Sequence, residues 1–299
     1  MTGPSTRFRS DFVPEWCALG ALVLLTVFWL GFSPVAFTAK TNDLIFLSLG
    51  PCIMLGQRAL ALQKGAMITE HLSLMILTST AICALSYLCL ASSGPLADSQ
   101  LMAMDRALGF DWLASYRFVE AHPSLKRVLE IAYGSPMAQC VYFSVLLGLM
   151  GRKDRLRDMF WLFICGGLMA CLGALLLPAL GPSKFFGLDA SFVPIIEQLL
   201  SGRDLTFALS GMTGVVSFPS FHTTMALMFL WGFRDTGPAG WIMTGLNLLM
   251  LCSVPTFGGH YLADMVAGAA VMALSLAMVR GAPVLWKYRI GREAVAAPA

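Results

Sequence analysis

The chain has 299 residues, 57% of them hydrophobic and 12% charged, with a mean hydropathy of +0.73. Soluble domains carry about twice that charged fraction, so the composition excludes an ordinary soluble globule. The net charge is only +3 and no basic tract interleaved with aromatics is present, which argues against a nucleic-acid partner.

Taken in order, the chain opens with a polar stretch carrying Arg7 and Arg9, then an apolar run from Trp16 to about Phe37. That run is too long for a signal-peptide core and lacks a good cleavage site, so it reads as an uncleaved first span. A second span covers about Asp43 to Leu62, with Gly50-Pro51 in its middle, and a third covers Leu72 to Ala91. A helix breaker inside lipid requires neighbours that satisfy the freed backbone groups. Residues 92–123 mix Asp98, Asp105, Arg106, Asp111 and Arg117 with Leu101, Met104, Trp112 and Phe118, a pattern suited to helices in the interface plane. A fourth span runs from about Val128 to Met150, a basic hairpin covers 151–157, and a fifth span runs from about Met159 to Leu180. A second mixed loop, Gly181 to Gly214, carries Lys184, Asp189, Glu197, Arg203 and Asp204. The sixth span starts at Pro219-Ser220 and ends near Phe233, the seventh covers about Trp241 to Pro255, and the eighth His260 to Val279.

The sequence therefore predicts an all-α, polytopic transmembrane bundle of about eight spans, a single membrane domain over 1–299, with interfacial helices on the outer side. Residues 15–92 form its N-terminal spans. With the N-terminus inside, the inner segments hold thirteen of the twenty Lys and Arg residues, as the positive-inside rule asks of short loops. Both long mixed loops then lie outside, facing the periplasm if the membrane is a bacterial inner membrane, or the lumen in a eukaryotic endomembrane.

Two stretches carry titratable groups at the mouths of apolar runs on that outer side: Ser217-Phe-Pro-Ser-Phe-His222 and Gly258-Gly-His260-Tyr-Leu-Ala-Asp264, followed by Gly268. Such groups are costly in a membrane helix and call for a functional account. His260 and Asp264 are four residues apart and share one helix face. The carboxylate can accept the imidazole Nδ1–H, which fixes the tautomer and leaves Nε2 nucleophilic. His222, from another helix, can protonate a leaving alkoxide and later accept a proton from water or an alcohol. Ser220, at a helix start beside Pro219, and Gly259, where backbone can approach closely, are candidate phosphate contacts. Lys184 is a candidate for neutralising phosphate charge. His71 and His122 lack local partners in the sequence and read as structural. The eight cysteines form no Cys-x-x-Cys pair, and two histidines with one aspartate make no complete zinc motif, so neither metal nor other cofactor is expected.

These stretches resemble the second motif (Pro-Ser-Gly-His) and third motif (His-x-x-x-Asp) of the type 2 phosphatidic acid phosphatase superfamily. The Phe218-Pro-Ser-Phe-His222 and His260-Tyr-Leu-Ala-Asp264 variants are most similar to the inositol phosphorylceramide synthase and sphingomyelin synthase branch. The resemblance covers about 100–280. It implies a metal-independent phosphohistidine mechanism, with His260 as nucleophile, Asp264 orienting it and His222 as acid/base. The substrate would be a membrane lipid phosphate, with water or a polyol or other alcohol as acceptor. The family's first motif, Lys-x6-Arg-Pro, is absent: Lys184 is followed seven residues on by Ser191. The usual Ser-Arg pair before the third motif is Ser253-Val254, and position 221 is Phe where the family has Gly. The implied activity is a lipid phosphoesterase or phosphotransferase. A plain lipid phosphate or pyrophosphate phosphatase, and a non-enzymatic lipid-binding or carrier protein on the same scaffold, are the alternatives.

Overall fold

The structure is a computed structural model that describes residue 10 and residues 12–188, 192–203 and 205–295, with side chains through 281. Arg7, Arg9, Asp189, Ser191 and Asp204 lie outside the described residues, as do the side chains of Lys287, Arg289 and Arg292.

The chain is almost wholly helical, as expected. The long elements are α1 (Val13–Leu30), α2 (Thr41–Ala59), α3 (Gln63–Ala91), α7 (Pro136–Leu149), α8 (Lys153–Leu176), α11 (Phe221–Gly232), α12 (Pro238–Gly258) and α13 (Leu262–Val295). Between them lie the shorter α4 (Asp98–Ala107), α5 (Trp112–Glu120), α6 (Pro123–Tyr133), α9 (Pro182–Phe185) and α10 (Val193–Ser201). Five helices, α1, α3, α8, α12 and the Leu262–Gly281 part of α13, are long and apolar enough to cross a membrane. The outward face of α1 exposes Leu24, Val27 and Phe28, and that of α2 exposes Leu44, Ile45 and Phe46, as helices bathed in hydrocarbon should.

The expected fourth span is divided. Pro136 cannot donate a helix hydrogen bond, and its ring suits the first turn of a helix rather than the middle of one. The apolar run accordingly breaks at Gly134-Ser135 into α6 and α7. Helices α7 and α11, with 14 and 12 residues, reach only about 18–21 Å at 1.5 Å per residue, short of a ~30 Å hydrocarbon core. Helix α11 packs inside the bundle with no exposed residue, whereas α7 turns Met137, Val141, Tyr142 and Leu149 outward. The Gly50-Pro51 breaker in α2 is explained by packing: a Cβ at Gly50 would lie 2.4 Å from Ser73 Oγ, so α2 presses its backbone onto α3 there. A two-stranded parallel pair, β1 (Ala36–Thr38) with β2 (Thr206–Ala208), was not expected. Tyr87 packs edge-on against Phe37 and Phe207 and accepts a hydrogen bond from Thr213 N at 3.2 Å, fixing that pair to the end of α3.

One rim of the bundle is held by ion pairs, of which Arg58–Glu70 is buried on both sides. Glu70 meets Arg58 and accepts from Trp16 Nε1 at 2.9 Å. Glu15 meets Arg157 at 3.4 Å and accepts from Trp161 Nε1 at 3.1 Å. His71 bridges Ser144 Oγ (2.8 Å) and Leu156 O (3.0 Å), a structural use. Arg155 reaches Asp235 at 2.9 Å, and Arg234 lies over the Trp231 ring at 3.7 Å. The charged groups sit at the starts of α1, α3 and α8, the end of α2, and the end of α11 with the turn after it. The two motif stretches sit at the start of α11 and the start of α13, so they occupy the opposite rim.

Candidate active site

Ser220 is the N-cap of α11. Its Oγ accepts from Thr223 N at 3.3 Å and from Thr223 Oγ1 at 3.1 Å, replacing partners the helix start lacks. Two cross-links join α11 to α13: Ser220 N donates to Asp264 O at 3.0 Å, and Thr224 Oγ1 donates to Gly268 O at 2.9 Å. A Cβ at Gly268 would stand 2.4 Å from Ser220 O, so only glycine permits this approach. His222, one residue into α11, stacks on Tyr133 with ring centroids 4.2 Å apart, and the Tyr133 hydroxyl lies 3.4 Å from His222 Nδ1.

On the second motif helix, α12 ends at Gly259, whose φ of +57° reverses the chain. A Cβ there would also strike Phe192 at 2.7 Å. The neighbouring Gly181, φ +88°, abuts the same turn, its Cβ direction blocked by Gly259 O at 2.3 Å. His260 follows, 3% exposed, with Nδ1 3.3 Å from Asp264 Oδ2. The same oxygen accepts from Tyr261 N at 2.9 Å, which aims the carboxylate. The two groups meet, but not on one helix face as the spacing predicts: α13 begins at Leu262, so His260 lies in the turn before it and Asp264 reaches back from the first turn.

His222 and His260 both line one cavity of about 500 Å³, together with Tyr133, Gly258, Phe192 and Ser217. Asp264 is fully buried behind His260 and does not line the cavity. Nor do the other expected phosphate contacts. Ser220 is engaged as a cap, Gly259 is packed under Phe192, and Lys184 pairs with Glu197 at 2.7 Å with both side chains about half exposed. Among the described residues, those lining the cavity include no lysine or arginine. They do include Ser217, whose buried Oγ has no hydrogen-bond partner; Ser183 Oγ, under Gly259, is likewise buried without one. Among the described residues, no group of three or more His, Cys, Asp or Glu is placed to hold a metal ion.

Two carboxylates absent from the sequence-level site brace it from α4. Asp105 accepts from Leu262 N (3.0 Å) and Ala263 N (2.9 Å), capping the first turn of α13. Burial raises its pKa, while the two backbone N–H groups pull it back down. Asp98 accepts from Leu180 N, Gly181 N and the Tyr261 hydroxyl at 2.9–3.0 Å. Burial and the adjacent Asp98 keep the Tyr261 phenol protonated. Trp112, at the start of α5, stacks on Phe186 and donates to Pro255 O at 2.9 Å, so α5 lies over the same region.

The sequence profile of the PAP2 superfamily matches residues 99–278. The chain belongs to this superfamily. The match takes in α4 through α13 and leaves α1, α2 and α3 outside it. No curated protein and no solved structure matches the chain. PAP2 membership together with the apolar helices makes this a membrane protein of the phosphatase type.

Proposed function

We propose that this PAP2 protein transfers a phospho-headgroup from a membrane phosphodiester lipid through a phosphohistidine on His260. The observation that carries the reading is the meeting of His222 and His260 in one cavity, with Asp264 held 3.3 Å behind His260. In the first step His260 Nε2 attacks phosphorus, the ester P–O bond breaks, and His222 gives its proton to the departing alkoxide. Asp264 stabilises the positive imidazole that forms. In the second step an alcohol, or water, loses its proton to His222 and attacks phosphorus, breaking the P–N bond and freeing His260.

The charge around the cavity favours a diester over a monoester. A phosphomonoester is close to a dianion at neutral pH, and desolvating it without cations is costly. Among the described residues the cavity lining offers no arginine or lysine; beside the two histidines it offers neutral groups, the Tyr133 hydroxyl and the unpaired Ser217 hydroxyl. A phosphodiester carries one negative charge, which a single protonated histidine balances. We assign Ser217, the unpaired hydroxyl in the cavity lining, as a donor to one of its non-bridging oxygens. This brings the chain nearer to the inositol phosphorylceramide synthase and sphingomyelin synthase branch than to simple lipid phosphatases. We further propose that the site faces away from the cytoplasm, because the arginine-rich rim lies at the other end of the helices.

The test is to incubate purified protein with headgroup-labelled diester lipids and to trap an acid-labile, alkali-stable phosphoenzyme. His260→Ala must abolish it. A wild-type protein that forms no such adduct and releases no product from diester or monoester lipids would refute the reading.

A further inference from the structure

We infer that α3, a helix outside the family-matched region, sets the length of one hydrocarbon chain of the substrate by forming a wall of a closed-ended chamber below the histidines. The inference rests on the phosphotransfer reading above. Three helices line the cavity along their length, and their directions define its two ends. Helix α11 leaves the histidine end at Phe221 and His222 and still lines the cavity at Met228 and Phe229. Helix α8 runs the other way and lines it from Met159 to Cys171. Helix α3 runs parallel to α8, since His71 meets Leu156 near their starts and Cys171 meets Ile82 farther along. It lines the cavity from Met75 to Ser86.

The far ends of these three tracks are Met75, Met159 and Met228 with Phe229, all nearly buried, and together they form the floor. Below it, α3 closes on α7: a Cβ at Gly148 would lie 2.3 Å from Ile68. From Met159 to Cys171 is twelve residues, about 18 Å along α8, and from Met75 to Ser86 eleven, about 16 Å along α3. Half of a ~30 Å hydrocarbon core is about the same depth. The chamber is therefore about as deep as one leaflet along α3 and α8, while along α11 His222 stands seven residues, about 10 Å, above the floor.

The α3 wall is built to admit a slender apolar body. Ser79, Cys83 and Ser86 fall on one stripe of the helix. Ser86 Oγ donates to Cys83 O at 2.7 Å and Cys83 Sγ to Thr213 O at 3.4 Å. Both polar atoms are thus turned into backbone, and this stripe presents small side chains to the chamber, flanked by Ile76 and Ile82. The methionines at the floor are the side chains best able to reshape around a chain end.

The experiment uses the full chain in nanodiscs and single-chain phosphodiester lipids that share one headgroup and differ in chain length. Wild-type kcat/KM is expected to rise by about fourfold per added methylene until the floor is reached, then level off. Ser79→Phe should lower the long-to-short ratio of kcat/KM by about tenfold or more, and Met228→Ala should move the plateau to longer chains. In parallel, a member of the series with a photoreactive group at the chain end should label residues 75–86, read by mass spectrometry. Both variants changing every chain length by the same factor, or label confined to the outward faces of α1 and α2, would overturn the inference. If the wild type turns over no member of the series, the phosphotransfer reading fails on its own, and the labelling pattern still decides whether the chamber holds a chain.

Discussion

The two rims of the bundle handle buried charge in opposite ways. At the rim shared by the starts of α3 and α8, acids meet bases: Glu70 with Arg58, Glu15 with Arg157, Asp235 with Arg155. At the histidine rim, Asp98, Asp105 and Asp264 take backbone N–H groups, a phenol and an imidazole instead of lysine or arginine. Pairing acids with bases uses up charge to hold helices together. Satisfying carboxylates with N–H groups holds the backbone equally well but leaves the field of the site uncancelled, so that it can respond to a substrate anion. One rim is a clasp and the other a workplace.

Substitutions can break that contrast, and the largest effects belong at the histidine rim. His260→Ala is expected to lower kcat by about 10⁴-fold or more while leaving the melting temperature within a few degrees, measured by turnover and thermal unfolding. His222→Ala should cost about 10²–10⁴-fold, the range for loss of a general acid–base. At the clasp the signs reverse. Glu70→Gln leaves Arg58 facing an uncharged amide in a buried site and should destabilise by about 3–5 kcal/mol, with kcat per folded molecule little changed. Asp105→Asn tests the brace between the two regimes. It keeps the shape but weakens both caps on the first turn of α13, and should cost about 1.5–3 kcal/mol together with a fall in kcat larger than any rise in KM. Lys184→Ala, which removes only a half-exposed pair with Glu197, should change stability by less than about 1 kcal/mol and leave turnover close to wild type.

How much of this was legible in the sequence depended on distance along the chain. The closeness of His260 to Asp264 is local in the chain and could be read directly, although His260 lies in the turn before α13 and not on its face. So could the apolar runs, because 1.5 Å per residue against the membrane thickness needs no tertiary information. The break at Gly134-Ser135-Pro136 had a local signal, which the continuous apolarity from Val128 to Met150 outweighed in the sequence reading. Asp98 and Asp105 were visible only as interfacial charges, because their partners at Tyr261, Leu262 and Ala263 are about 160 residues away. Tyr133, 89 residues before His222, was hidden for the same reason. Lys184 shows the converse error: a cation in the right loop suggested a phosphate ligand, yet Glu197 in the same loop claims it. The three-residue strands 36–38 and 206–208 are too short to show a period of two.

The contact between Gly268 and the Ser220 carbonyl has a consequence for how this scaffold can vary. Because main chain touches main chain there, the gap between the two imidazole-bearing helices is gauged by the peptide framework itself. Lipid-facing and chamber-lining side chains can then be exchanged freely without retuning the reaction distance. The scaffold can change its customers while keeping the same callipers, and one added methyl group at position 268 would spring them open.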